Sequence, residues 1–230
     1  MNSSVQLAGV RRHLSAMKLL IALVIFILML PFAQDSKDGA IIEIVLLTMV
    51  LVASLLAVSG ERRTLVLSAV LLVPALAGKW LHHFRPDLLP SWLFLGASLL
   101  FFGFVVINLL QFVLRAARVD SEVLCAGISI YLLLGLLWAN AYVLVAHLTP
   151  EAFAFTVAGD PHKTMDRFNA FYFSFTTLST VGFGDITPVS REARTLAVTE
   201  AVVGMFYVTI LIARLVSVYS VAPPTKSAGN

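Results

Sequence analysis

Hydrophobic residues along this chain arrive in long blocks separated by short polar stretches, not dispersed as in a soluble core. Six blocks stand out: Ser15 to Ala33, Ala40 to Ser59, Thr64 to Leu81, Ser91 to Leu114, Glu122 to His147 and Arg191 to Tyr219. Each approaches or exceeds the about 20 apolar residues that carry a helix across about 30 Å of hydrocarbon, so each predicts a spanning helix. The polar stretches Gln34 to Gly39, Gly60 to Arg63, His82 to Asp87 and Arg115 to Ser121 hold the turn and charge signals of connections. A longer interval, Leu148 to Ser190, separates the last two blocks. Its first part, Thr149 to Lys163, has two prolines and mixed charge and reads as a solvated turret. Its second part, Arg167 to Ser179, is apolar and aromatic but too short to span, which predicts a re-entrant helix with Asp166 as its N-cap. A re-entrant segment leaves backbone polar groups at membrane depth. They are tolerated there only when buried in protein or lining a water-filled cavity, so the interval implies a pore or a binding site.

Composition agrees with the blocks: 59% of residues are apolar and 13% are charged, as in an integral membrane protein. The first block, from Met17 to Ala33, lacks a small-residue cleavage pattern and is expected to stay as a helix. The single cysteine, Cys125, lies inside an apolar block, so neither an intrachain disulfide nor a thiolate metal cluster is available. The net charge of +3 suits juxtamembrane segments facing anionic lipid, and no basic face for nucleic acid is found. With an even number of spans both termini share a side. Arg11, Arg12, Lys18, Arg62, Arg63, Arg115 and Arg118 then face the cytoplasm, against Lys37, Lys79, Arg85, Lys163, Arg167, Arg191 and Arg194 opposite. The bias is modest and puts both termini in the cytoplasm. The chain shows no internal repeat, and its tail after Ser220, with Pro223-Pro224, is expected to be disordered.

Between the last two blocks stands Thr180-Val181-Gly182-Phe183-Gly184-Asp185, preceded by Phe171-Tyr172-Phe173-Ser174-Phe175-Thr176-Thr177. In an extended strand, Gly182 and Gly184 permit backbone angles closed to other residues, which lets successive carbonyls face one side. With these residues the chain resembles the tetrameric potassium-channel family over about Glu122 to Tyr219, as outer helix, pore helix, filter and inner helix. Passing K+ selectively means replacing its hydration shell with neutral oxygens of suitable number and field strength without holding the ion too tightly. The resemblance implies that Thr180, Val181, Gly182 and Phe183 supply the oxygens that coordinate K+, and that Gly184 and Asp185 form the outer mouth. It also implies that Tyr172 and Phe173 brace the strand while Val181 and Phe183 pack against the re-entrant helix. Two departures stand out: Phe183 replaces a tyrosine of many relatives and Phe173 a tryptophan, which removes their hydrogen bonds. The C-terminal end of the re-entrant helix, near Leu178, would aim its negative dipole end at a central cavity.

In the sixth block, Gly204 falls where the family has a hinge glycine; close packing of small residues between helices is the alternative. Met205, Val208, Ile212 and Val216 follow at helical spacing, either lining an inner cavity and gate or packing on the fifth helix. Glu200 is an intramembrane carboxylate, and such groups are functional candidates by default. A supporting role is favoured over direct ion contact, with the carboxyl bonded to Ser174, Thr176, Thr177 or Ser179 behind the filter. Arg214 is expected to snorkel to the cytoplasmic interface. The fourth block carries no cation before Arg115, and Glu43 is the main countercharge in the first three blocks, so strong voltage sensing is not expected. His82, His83, His147 and His162 have no metal-ligand spacing and read as solvated or interfacial. No constellation for nucleophilic or acid–base catalysis appears, so no enzyme is expected.

The expected fold class is therefore an all-α membrane protein of six transmembrane helices, with a re-entrant pore helix and a selectivity-filter loop. Its parts run as a cytoplasmic segment (1–14), a four-helix membrane domain resembling a voltage-sensor bundle without gating charges (15–118), a pore domain (119–220) and a tail (221–230). One chain carries one filter segment and a ring around an ion needs four, so a homotetramer in a lipid bilayer is implied. K+ ions in the filter are expected, with no organic cofactor. The function implied is passive K+ conduction. The alternatives are a non-selective cation channel, or a membrane receptor or assembly subunit whose first four helices bind an unknown lipid or protein while its pore is dormant. A bacterial inner (plasma) membrane is the expected location, by analogy of size.

Overall fold

The computed structural model describes residues 3–34, 39–58, 62–85, 90–156 and 164–220. The chain's tail, most of the second half of the turret with His162, and the tips of three connections lie outside the described residues, as do the side chains of Arg11, Arg12, His82 and His83. Among the described residues, seven helices and one small ribbon follow in order: α1 (Ser3–Gln34), α2 (Gly39–Val58), α3 (Arg62–Phe84), α4 (Ser91–Arg115), α5 (Ser121–Leu148), β1 (Phe153–Phe155), α6 (Arg167–Leu178), β2 (Ile186–Pro188) and α7 (Arg191–Ser220). Five of the helices are long and apolar enough to cross a membrane: Gly39–Val58, Arg63–Leu81, Trp92–Arg115, Ser121–Leu148 and Arg191–Ser217. The apolar stretch described within α1, Ala16–Phe32, is shorter.

The helix boundaries follow from local chemistry. Pro90 stands at the N-cap of α4, where a missing N–H costs nothing. Asp120 caps α5 by accepting from Val123 N at 3.0 Å, and Glu122 adds an acidic group to the positive end of that helix. Within the apolar spans, hydroxyls return to their own helix, as Thr48 does to Ile44 O at 2.7 Å and Ser54 to Val50 O at 2.7 Å. Such back-bonds satisfy a polar group where no water is at hand.

α5 is the centre of the molecule. One face packs on α4 and α1, the other on α6 and α7. A single hydrophobic core runs through Leu19 and Leu23 of α1, Val50 and Leu51 of α2, Phe101, Phe102 and Val105 of α4, and Ile130 and Leu133 of α5, reaching Leu178 and Tyr207. Of the first four helices, α1 and α4 pack directly against α5, while α2 and α3 pack on α1 and α4. A second cluster joins Phe94, Tyr142, Phe153, Phe173 and Ile186 at the other end of α5. The ribbon was not legible in the apolar blocks. β1 pairs antiparallel with β2 in the register Phe153↔Pro188, Ala154↔Thr187 and Phe155↔Ile186. Thr156 N donates to Asp185 O at 2.9 Å and Val189 N to Ala152 O at 2.8 Å, so the ribbon fastens the chain leaving α5 to the chain entering α7.

Candidate functional site

α6 is a twelve-residue helix laid against α5 and α7. Asp166 starts it by accepting from Asn169 N at 2.8 Å, as the sequence leads one to expect. Its close seat on α5 depends on Gly135: a Cβ there would stand 2.4 Å from the Phe175 ring. Ser174 adds a hydrogen bond, donating to Gly135 O at 2.8 Å. Gly135 gives no signal in an apolar block, since only the fold brings Phe175 over it.

Beyond α6 the backbone changes hand residue by residue. Thr180 (φ 59°), Gly182 (φ 53°) and Gly184 (φ 79°) are left-handed, while Val181 and Phe183 between them are not. Alternating hands turn successive N–H groups to one side and successive carbonyls to the other, whereas in an ordinary strand they alternate. The N–H side is occupied: Thr180 N donates to Thr177 O at 2.9 Å, and Val181 N and Gly182 N both donate to Thr176 O, at 2.9 and 3.1 Å. The last carbonyls of α6, which a helix end leaves without partners, thereby hold the following strand. Neither Gly182 nor Gly184 would bring a Cβ within 4 Å of another atom, so these glycines are required by their φ alone. Thr180 has no such freedom; a left-handed L-residue costs about 1–2 kcal/mol. Its strain is a feature the motif did not announce.

The strand lies open on the surface of the chain. Val181 is 56% exposed and Phe183 69%. Tyr172 stacks on Phe183 with ring centroids 6.2 Å apart and planes 6° from parallel, and its hydroxyl is near enough to the Asp185 carboxylate to interact with it. Asp185 also accepts from Ile186 N at 3.0 Å. The sequence anticipates the loss of bracing hydrogen bonds at Phe183 and Phe173; the Tyr172 hydroxyl is the group that faces the same aspartate. The expectation that Phe173 braces the strand is not met within the chain. Phe173 is buried against Tyr142 and Phe153, at centroid distances of 4.8 and 5.7 Å. Adjacent helical residues point about 100° apart, so Tyr172 and Phe173 cannot both face one strand. Thr176 and Thr177 act through their carbonyls, and the Thr176 hydroxyl returns to Phe173 O at 3.0 Å.

Glu200, on α7, is fully buried behind α6. The Tyr142 hydroxyl donates to its Oε2, and its Oε1 lies 2.5 Å from Ser174 Oγ. Ser174 was among the partners expected from sequence; Tyr142, 58 residues away inside an apolar block, was not. The protons can be counted. Ser174 has one hydroxyl proton but two acceptors in reach, Gly135 O and Glu200 Oε1. A carboxyl proton on Glu200 would satisfy all three contacts at once; the contacts themselves join α5, α6 and α7.

Gly204 is buried where α7 meets the end of α6; a Cβ there would stand 2.5 Å from Leu178 O and 2.8 Å from Leu178 Cδ1. Close packing therefore has a specific contact. Gly204 begins a stripe with Tyr207, whose hydroxyl donates to Gly127 O at 2.5 Å, and Leu211, which touches Gly127. Met205, Val208, Ile212 and Val216 form the adjacent stripe, exposed on the chain, and so do not pack on α5. Arg214, expected to snorkel, donates to Ala116 O at 2.8 Å and ties α7 to the α4–α5 connection. His147 is exposed at the end of α5, and among the described residues no group of His, Cys, Asp and Glu is placed to hold a metal ion.

A family model described as "Ion channel" matches residues 130–221, which cover the end-to-end path from α5 through the strand to α7. The two pore potassium channel c of Oryza sativa subsp. japonica is 38% identical over 60 residues, or 26% of this chain and 12% of that protein. The chain thus matches only a small part of that relative's length. No solved structure matches. These findings support an ion channel. With five apolar helices of spanning length, the chain is a multi-pass membrane protein.

Proposed function

We propose that this chain is one subunit of a homotetrameric potassium-selective channel that conducts K+ passively. α1 is the sixth span, both termini are cytoplasmic, and α6 is re-entrant. One observation carries the reading: the N–H groups of Thr180, Val181 and Gly182 are taken up by α6, and the alternating backbone turns the carbonyls of Thr180 to Phe183 the other way. Neutral oxygens held in a row are what a dehydrating K+ needs. Four copies around an axis complete a ring at each level. Gly184 stands at the mouth, where its carbonyl accepts from Thr156 Oγ1 at 3.3 Å. The exposed Val181 and Phe183, and the exposed stripe of Met205, Val208, Ile212 and Val216, are the apolar surfaces a neighbouring subunit or an inner cavity would use.

Strong voltage sensing is not part of the reading. α4 has no cation before Arg115 and its buried Phe101, Phe102 and Val105 hold it in the core shared with α5, so it carries no charge to move through the field. The test is K+ flux from the purified protein in liposomes together with its native mass. Four copies with flux are expected. A monomer, or a tetramer passing nothing, refutes the reading and favours a receptor or assembly role.

A further inference from the structure

Glu43 of α2 receives two cations on one oxygen. Lys79 Nζ of α3 lies 3.0 Å from Glu43 Oε1, and Arg167 Nη1 of α6 donates to the same atom. Lys79 is 7% exposed, Glu43 20% and Arg167 37%. A cavity of about 40 Å³ beside them, bordered also by Asn140 and Phe171, is large enough for water.

This arrangement sits badly with local preference and well with a link between elements. Arg167 opens α6, where the helix dipole is positive and disfavours a cation; Asp166 caps that end, but the first turn itself has no acidic residue. A local rule broken at such a place calls for a compensating contact. Glu43, 124 residues away in sequence, is that contact. α2 and α3 are themselves joined a turn further along, where Trp80 Nε1 donates to Thr48 Oγ1 at 3.3 Å. At the other end of α6, the carbonyls of Thr176 and Thr177 hold the N–H groups of the strand. A short rigid helix thus connects the α2–α3 pair at one end to the filter strand at the other.

We propose that Arg167, held by Glu43, which Lys79 of α3 also pairs, is a positioning residue through which the α2–α3 pair controls the geometry of the filter strand. The control rests on the channel reading, but the mechanical link does not. A shift of α2 against α3 moves Glu43, tilts α6 by its first residue, and displaces Thr176 at its far end. The first four helices then act on the filter directly, through α6, and not by way of α7.

The experiment uses the full chain in lipid nanodiscs and liposomes. Arg167→Gln leaves the Lys79–Glu43 pair intact and releases only α6. Expected are at least fivefold faster hydrogen–deuterium exchange across residues 176–184 and at least fivefold lower K+ flux. Arg167→Lys should restore both to within about twofold, and Glu43→Gln with Arg167→Gln should be no worse than the worse single variant. Wild-type exchange at 176–184 in Arg167→Gln overturns the proposal, as does altered exchange with unaltered flux. If Arg167→Gln does not accumulate, Arg167→Met, which also leaves the Lys79–Glu43 pair intact, carries the same comparison. Absence of flux in the wild type would sink the channel reading alone, and the exchange data would still decide whether the link exists.

Discussion

Replacing Glu200 separates what its charge does from what its hydrogen bonds do. In Glu200→Gln the amide donates to Ser174 Oγ while its carbonyl accepts from Tyr142, so the network of the neutral acid is reproduced; the expected change in stability is below about 1 kcal/mol. Glu200→Leu keeps the bulk but strands the buried Tyr142 hydroxyl, at about 1–3 kcal/mol. Tyr142→Phe alone removes one hydrogen bond, worth about 1 kcal/mol. The double variant Tyr142→Phe with Glu200→Leu leaves neither group unpaired, so its loss should fall short of the sum of the singles by about 1–2 kcal/mol. Thermal unfolding in nanodiscs reads the stabilities, and K+ flux in liposomes reads the proposed conduction through the Thr180–Gly184 strand. Additive losses would mean that Tyr142 and Glu200 do not act on each other. A stable Glu200→Gln without flux would mean that an ionised carboxylate is required, contrary to the proton count.

Gly204→Ala should cost about 1–3 kcal/mol, because its Cβ meets a backbone carbonyl that cannot swing away, and flux should fall with it; a wild-type melting temperature with altered opening would favour the hinge. Gly182→Ala meets no atom within the chain but must hold φ near 53°, at about 1–2 kcal/mol, so membrane expression should persist while flux is lost. Normal flux there would remove the left-handed position from the account. Tyr172→Phe keeps the stack on Phe183 and removes the hydroxyl beside Asp185, at a cost of at most about 1 kcal/mol. Single-channel records should show about fivefold more time in filter closures, and unchanged closures would show that the ring stack alone braces the strand.

How much of this could be read beforehand depended on the range of the interaction. Apolar blocks gave the helices because crossing hydrocarbon is a matter of composition within about 20 residues. Asp166 and the span of α6 were legible from capping chemistry, which is local. Ser174 was named as a partner of Glu200 because both lay in segments already assigned to the site. Contacts between distant segments were not legible. Tyr142 looked like one more core residue of α5, and Gly135 like one more small residue, until α6 was laid across them. Lys79 and Arg167 were counted as outer-side charges and Glu43 as a countercharge for a sensor, yet the three meet on one oxygen. Three-residue strands such as β1 and β2 carry too few positions for a period-two pattern to register.

In the proposed function, the row of carbonyls from Thr180 to Phe183 selects K+. Its most direct test is the reversal potential of single channels in a planar bilayer with K+ on one side and Na+ on the other. The reversal potential should follow the K+ gradient and hardly respond to Na+. A reversal potential near zero, moving with Na+ as readily as with K+, would contradict it and identify a non-selective cation pore.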